Sequence, residues 1–141
     1  MDFSAVNWIA VAVATIASFA LGAVWYMALS KQWLAAVGKT RDQINSKDGT
    51  PYIWSVLVQL VMAVSLAIMI PRMFGTVSVN SGLMAGFMLW FGFIITTLIQ
   101  NHRYEGAPWA RTFIDGGYML GVLLVQGIVI GLFGSGATPA A

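Results

Sequence analysis

The residues that could do chemistry are concentrated in one stretch, from Asn101 to Tyr118 (NHRYEGAPWARTFIDGGY). This stretch contains the only His and the only Glu of the chain, His102 and Glu105, together with two Arg residues and Asp115. Because long apolar segments flank it, these polar groups should lie where hydrocarbon gives way to water. Ionisable residues at such a boundary are the first candidates for a functional site in a membrane protein.

The stretch suggests two reactive arrangements, a metal site and an acid–base pair. His102 and Glu105, three residues apart, would share a helix face if the preceding helix extends that far. One His and one Glu do not make a site. Asp115 or Asn101 could complete it, but the Gly and Pro that follow predict a turn after Glu105, so we expect no metal. Glu105 and Asp115 could instead act as acid and base, with Tyr118 one helical turn beyond Asp115.

Asp115 also has a structural explanation, as an alternative to a role in catalysis. An Asp at the centre of a membrane helix costs about 2.5 to 3.5 kcal/mol and is usually functional. Asp115 lies only about two turns from Pro108, however, where it can pair with Arg111 and gain from the positive end of the helix. The pattern therefore favours an ion pair near the interface over catalysis. We accordingly expect a protein that is not an enzyme.

The composition places these residues in a membrane protein. The chain of 141 residues is 59% hydrophobic and 9% charged, with a mean hydropathy of +0.81, far outside the usage of soluble domains. About 20 apolar residues make one span, so the chain is long enough for four. A face that binds the phosphates of nucleic acid needs clustered Lys and Arg, and the only modest cluster among the seven basic residues lies between two spans, which argues against nucleic acid as a partner. The absence of Cys excludes disulfides and thiolate chemistry.

Four apolar segments predict an all-α, antiparallel four-helix bundle that forms a single membrane domain. The spans are expected at residues 8–29, 52–70, 81–100 and 109–133, with a polar loop at 30–51 that carries an interfacial helix and a disordered tail at 134–141. The second span should stop at Pro71, whose ring cannot continue a helix without cost. A signal peptide is the alternative for the first span, but the segment before it lacks Lys and Arg.

Small residues recur along three of the four spans. At four-residue spacing they let helix backbones approach closely in lipid. The second span adds a small and polar face that includes Gln59, which could hydrogen-bond to a neighbouring helix. The residues expected at helix contacts are Ala10, Ala14, Ser18, Gly22, Gly82, Gly86, Gly117, Gly121, Gly127 and Gly131.

Basic residues near the ends of the spans predict the orientation. Six of the seven lie in or beside the first and third loops, which share one side of a four-span protein, and only Arg72 lies opposite. We expect a protein of the bacterial inner membrane. The positive-inside rule then places its first and third loops on the cytoplasmic side and both termini on the opposite side. Trp25, Tyr26 and Trp109 belong to that side and are the candidate contacts for a ligand or partner.

Several motifs resemble one known family. The Asn-Trp opening, LGAVWY at 21–26, EGAPW at 105–109 and GGYMLGVLL at 116–124 resemble the small bacterial membrane proteins known as domain of unknown function 1761. KQWLAAVG at 31–38 and GFMLWFGF at 86–93 extend the resemblance over nearly the whole chain. It implies a compact four-helix membrane protein and no particular activity. The residues that it carries over are Asn7, Trp8, Gly22, Trp25, Tyr26, Trp33, Glu105, Gly106, Trp109, Gly117 and Tyr118, and His102 and Arg103 are not among them.

Three functional hypotheses follow. The preferred one is a helix-packing assembly protein, either a homo-oligomer or an accessory subunit of a larger membrane complex, because the stripes of small residues exceed what four short helices need. The second is a membrane-embedded enzyme or a binder of a lipid-like or hydrophobic ligand that uses Glu105, Asp115 and Tyr118, with no cofactor expected. The third, a small transporter, is disfavoured because spans one to three contain no ionisable residue.

Overall fold

The computed structural model describes residues 3–136, in which six α-helices form an all-helical bundle. They are α1 (Trp8–Ala28), α2 (Ser30–Val37), α3 (Thr50–Phe74), α4 (Val79–Leu89), α5 (Ile95–Tyr104) and α6 (Trp109–Phe133). A 3-10 turn at Arg41–Gln43 follows α2, and a π-helical turn at Trp90–Ile94 joins α4 to α5. Four helical segments, namely α1, α3, α4 continued into α5, and α6, are long and apolar enough to cross a membrane. The predicted all-α four-helix membrane bundle is therefore confirmed.

Local capping chemistry sets several of the helix ends. Asn7 begins α1, because its Oδ1 accepts a hydrogen bond from the Ala10 amide at 3.1 Å. Gly38 ends α2 with a φ of 69°, a left-handed conformation that glycine adopts at no steric cost. Ser78 begins α4 through a capping box with Ser81. These caps fix where the chain enters and leaves the bundle.

Two spans are longer than the hydropathy pattern indicates. α3 passes through Pro71, where the sequence predicts it to stop, and reaches Phe74. Pro71 has no N–H to donate to the Ala67 carbonyl, a loss that a membrane-spanning helix tolerates, and α3 closes one turn later at Gly75, whose amide donates to the Pro71 carbonyl at 2.8 Å. The third span likewise continues to Tyr104, because the chain first turns at Gly106, with a φ of 68°.

α6 lies at the centre of the bundle and contacts all of the other helices. Its closest neighbour is α4, because Gly82 and Gly127 face each other and a Cβ on either would overlap the backbone of the other. Gly86 meets the Leu123 carbonyl in the same way. In lipid, close contact of this kind replaces the hydrophobic effect as the force that holds helices together.

The ten predicted packing residues lie in contacts within the chain. Ala10, Ala14 and Ser18 are buried. Each of the seven glycines contacts another helix, and Gly131 does so at Ser78, the residue that caps the start of α4. At four glycines the neighbour is backbone, and we call these the backbone-contact glycines: Gly82, Gly86, Gly127 and Gly131. At three the neighbour is the side chain of Tyr118, Trp25 or Leu21, and we call these the side-chain-contact glycines: Gly22, Gly117 and Gly121.

The end of the described chain is held against its beginning. Gly134 ends α6 with a φ of 72°, and the Gly136 amide donates to the Ala5 carbonyl at 3.1 Å. Residues 134–136 of the tail expected to be disordered thus contact the bundle, and residues 137–141 lie outside the described residues. We call this end of the bundle the terminal face. The opposite end is the basic face, because six of the seven basic residues belong to it.

Candidate polar site at the basic face

Asp115 stands among polar side chains contributed by three helices. Its Oδ1 accepts a hydrogen bond from the Tyr26 hydroxyl of α1 at 2.8 Å. Its Oδ2 lies 3.8 Å from Nε of Arg111 in α6 and 3.9 Å from Nε2 of His102 in α5. The side chains of Asp115 and His102 are only 20% and 5% exposed. We call this group the inner cluster: Tyr26, His102, Asp115 and, for the contact described below, Tyr118.

His102 is oriented by Thr112 of α6. Its Nδ1 lies 2.9 Å from Thr112 Oγ1, and Arg103 Nη2 donates to the same oxygen at 3.0 Å. Because Thr112 accepts from Arg103, its own proton can be donated to Nδ1. In the tautomer that carries its proton on Nε2, this N–H faces the Asp115 carboxylate.

A second network runs from Tyr118 into the middle of the bundle. The Tyr118 ring meets Tyr26 edge-on, with the ring centroids 5.0 Å apart, and its hydroxyl accepts from Gln59 Nε2 at 2.6 Å. Gln59 Oε1 accepts from Ser18 at 2.6 Å, and Gln126 Nε2 donates to Ser18 Oγ and the Gln59 carbonyl, each at 3.0 Å. The predicted cross-helix hydrogen bonding of Gln59 is confirmed. Such bonds contribute about 0.6 kcal/mol each in membranes, so this network chiefly aligns α1, α3 and α6.

Two tryptophans hold α6 on either side of Asp115. Trp25 Nε1 donates to the Ile114 carbonyl at 3.0 Å, and Trp90 Nε1 donates to the Gly116 carbonyl at 2.8 Å. A buried indole N–H needs an acceptor, and the lipid provides none. The backbone that carries Asp115 is therefore fixed from α1 on one side and from the π-helical turn on the other.

The other candidates lie closer to the loop. Glu105 pairs with Arg111 at 2.8 Å, and its side chain is 52% exposed. Trp109 is half exposed, and the Arg103 guanidinium lies 3.9 Å from the centroid of its ring. We call Arg103, Glu105, Trp109 and Arg111 the outer cluster. The predicted Arg111–Asp115 pair is present, but Arg111 is closer to Glu105.

The structure divides the residue sets that the sequence suggests. Of the three acid–base candidates, Asp115 and Tyr118 both contact Tyr26 in the inner cluster, whereas Glu105 lies in the outer cluster. Of the candidate contacts for a ligand or partner, Trp25 and Tyr26 lie at the inner cluster, whereas Trp109 lies in the outer one. His102 and Glu105 do not converge, and among residues 3–136 no group of three His, Cys, Asp or Glu side chains could hold a metal ion.

Sequence reasoning missed the parts played by His102 and Trp90. His102 is outside the family motifs and was considered only as a metal ligand beside Glu105 and Asp115, although its polar contacts on α6 include a hydrogen bond with Thr112. The signal available was a lone His at the end of an apolar helix, since a polar group there must find a partner. For Trp90 the signal was an indole near mid-span, away from the interface where Trp usually lies.

The fold and the polar clusters define a class, the small four-helix membrane proteins with a polar site at one face. Over residues 9–131 the chain matches the model of the family described as "Protein of unknown function (DUF1761)", and it belongs to that family. The resemblance expected from its motifs is confirmed. No curated protein and no solved structure matches the chain, so its function has to be argued from the site.

Proposed function

We propose that this protein binds an amphipathic, lipid-like ligand at its inner cluster. The observation that supports the proposal is the convergence on Asp115 of Tyr26 from α1 and His102 from α5. Tyr26 and Asp115 are 89 residues apart in sequence. An ionisable group within a membrane-spanning segment is a functional site by default.

Helix packing alone does not account for this arrangement. A carboxylate within a membrane helix costs about 2.5 to 3.5 kcal/mol at the centre, and apolar side chains can join helices without that cost. The network of Ser18, Gln59 and Gln126 already aligns the helices with neutral groups. A charge at Asp115 is thus more than the bundle needs, which favours a role in binding.

The chemistry of the ligand follows from the hydrogen-bonding capacity left over. The Tyr118 hydroxyl accepts from Gln59, and its own proton has no acceptor among residues 3–136. Asp115 Oδ2 has neighbours at 3.8 and 3.9 Å but no hydrogen bond from them. The cluster therefore offers one donor and one acceptor to a polar head, such as a hydroxyl or an amide. An apolar body could lie along the lipid-facing side of the helices.

The orientation is part of the proposal. The positive-inside rule supports a cytoplasmic position for the basic face and an extracytoplasmic position for both termini of a bacterial inner-membrane protein. The ligand would then enter from the cytoplasmic leaflet, since the inner cluster lies near that end of α6.

Assembly with itself or with a larger membrane complex is the other hypothesis. It rests on small residues in excess of what the chain needs, and the ten residues concerned lie in contacts within the chain. The side chains left facing outward are mainly large and apolar, and lipid satisfies them. The geometry therefore supports the binding hypothesis better than assembly.

Mass spectrometry of compounds extracted from the purified protein tests the proposal. We expect one amphipathic compound to be enriched over the bulk lipid in the wild type, and to fall about tenfold in Asp115→Asn, which loses the charge that the head contacts. Ser65→Ala is the control, because its hydroxyl is exposed and donates only to the Val61 carbonyl of its own helix.

Size-exclusion elution of all three proteins checks that each is folded. Two results would contradict the proposal: no compound enriched in the wild type, or equal enrichment in Asp115→Asn. A wild type that elutes as a stable oligomer, or with a second protein, and carries no such compound would support assembly instead.

A further inference from the structure

We infer that Arg103, in the outer cluster, holds the phosphate group of an anionic phospholipid at the basic face. Arg103 lies in the last turn of α5, one residue before the helix ends at Tyr104. Ends of spanning helices lie at the level of the lipid headgroups. The inference is separate from the ligand proposed for the inner cluster, because it depends on a different charge and on a groove that no inner-cluster residue lines.

Within residues 3–136, the charge of Arg103 lacks a counter-ion. Arg103 and Arg111 are the two partly buried members of the Lys and Arg set, and the other five are exposed. Arg111 has Glu105 at 2.8 Å and Asp115 at 3.8 Å. No carboxylate of residues 3–136 lies within 4.0 Å of a nitrogen of Arg103. A partly buried charge is costly without a partner, so an anion from outside the chain would complete this site.

The guanidinium is nevertheless held in one position. It lies over the Trp109 ring, and its Nη2 donates to Thr112 Oγ1 at 3.0 Å. Its Nε is buried and has no hydrogen bond to any described residue. An Arg that merely extends into water at a helix end would hydrate all of its nitrogens. Nη1 makes no hydrogen bond within residues 3–136 and remains for a ligand.

The surroundings of Arg103 match a phospholipid better than a free anion. A shallow groove beside it is lined by Gln100, Arg103 and Tyr104. The Gln100 amide and the Tyr104 hydroxyl are further donors. Next to Trp109, the Phe113 ring lies at a centroid distance of 6.0 Å and is 68% exposed. The donor groups of Gln100, Arg103 and Tyr104 suit a headgroup, and the mainly apolar surface of the groove and the aromatic pair suit an acyl chain. Inorganic phosphate would use only the polar end.

Native mass spectrometry of the detergent-solubilised full chain tests the inference. The protein is titrated with short-chain phosphatidylglycerol, which is anionic, and with phosphatidylcholine, whose ammonium group neutralises the phosphate. We expect phosphatidylglycerol to bind more tightly, and its Kd to rise about tenfold in Arg103→Gln, the effect of losing a charge-assisted hydrogen bond. Arg103→Lys should lose several-fold, because Lys keeps the charge but not the planar, stacked geometry.

Two controls separate this site from general charge and from the inner cluster. Arg41→Gln removes one positive charge from an exposed loop on the same face, and we expect its Kd within about twofold of the wild type. Asp115→Asn should also bind phosphatidylglycerol normally, whatever happens to the ligand of the inner cluster.

Several outcomes would overturn the inference. They are equal Kd values for Arg103→Gln and Arg41→Gln, equal affinity of the wild type for the two lipids, or loss of phosphatidylglycerol in Asp115→Asn. Displacement of the lipid by inorganic phosphate at a concentration equal to that of the lipid would overturn the assignment to a phospholipid. Size-exclusion elution is the folding control: if Arg103→Gln elutes at the wild-type volume, its loss of binding is not due to unfolding.

Discussion

The two halves of the bundle use glycine in different ways. Toward the terminal face, the backbone-contact glycines bring α4 and α6 together with nothing between them, as at Gly82 and Gly127. Toward the basic face, the side-chain-contact glycines each receive a side chain from another helix, as Gly22 receives the Tyr118 ring. The same residue type therefore closes one half of the bundle and makes room in the other.

The difference explains where the polar groups lie. Helices in backbone contact leave no space for side chains, so the terminal half offers stability and little chemistry. Helices separated by rings leave space for phenols, indoles and a carboxylate, and these groups must hydrogen-bond because lipid satisfies none of them. A spacing of small residues thus predicts a helix contact without telling which of the two kinds it is.

The largest effect should come from filling the backbone contact. Gly82→Val places two methyl groups where the Gly127 backbone lies, so the helices must separate and the bundle should lose about 3 kcal/mol or more. Denaturant unfolding in detergent, followed by circular dichroism, measures the loss. Gly92→Ala is the control, since a Cβ at Gly92 meets nothing. Equal stability of Gly82→Val and the wild type would show that backbone contact at Gly82 does not hold α4 against α6.

The next effect should come from the hydrogen bonds between the halves. Gln59→Leu removes the bonds to Ser18 and Tyr118 and leaves both side chains without that partner. We expect a loss of about 1.5 kcal/mol, near the upper end for membrane hydrogen bonds. The same unfolding measurement applies, with Ser55→Ala as control because its hydroxyl bonds only to the Pro51 carbonyl of its own helix. A loss no greater than that of the control would make this network dispensable.

A smaller effect is expected where glycine faces a ring. A Cβ at Gly22 would lie 3.0 Å from the Tyr118 ring and hydroxyl, and a side chain can move where backbone cannot. Gly22→Ala should therefore cost about 1 kcal/mol, less than the same change at Gly82. Tyr118→Phe removes one of the crowded atoms, so a double-mutant cycle should show coupling between the two changes. Strict additivity would mean that the ring is not what limits Gly22.

The smallest effect should come from the hydroxyl of Tyr26. Tyr26→Phe removes the bond to Asp115 and keeps the ring against Tyr118, so we expect a loss of about 0.6 kcal/mol. Tyr52→Phe, at an exposed position, is the matched control. A loss of several kcal/mol would show that the inner cluster holds the bundle together. Both halves of the bundle would then contribute strongly to its stability.

The sequence was informative about what lies in the membrane and which faces pack, and uninformative about which residues meet across those faces. Hydropathy predicted four spans because each must be apolar over about 20 residues. The spacing of small residues marks a packing face on one helix but does not say which residue of another helix lies opposite it. The contacts of His102 with α6 and of Trp90 with the Gly116 carbonyl depend on that pairing, so they could be found only in the structure.

Interactions between residues close in sequence were more predictable. The pairing of Arg111 with Asp115 follows from their four-residue spacing, whichever way α6 faces. Pro71 shows the limit of such reasoning, because a proline costs a helix one hydrogen bond and a clash with the preceding turn, and a membrane-spanning helix such as α3 can continue through it.

The π-helical turn at Trp90–Ile94 winds one residue more into a turn than an α-helix does. Each residue rotates the following side chains by about 100°, so one residue fewer would turn α5 by that angle relative to α4. His102 would then face away from Asp115, while Gly82 and Gly86 would keep their places against α6. In genetic terms, we expect the loss of a single codon between positions 90 and 94 to remove His102 from the inner cluster without disturbing the glycine contact.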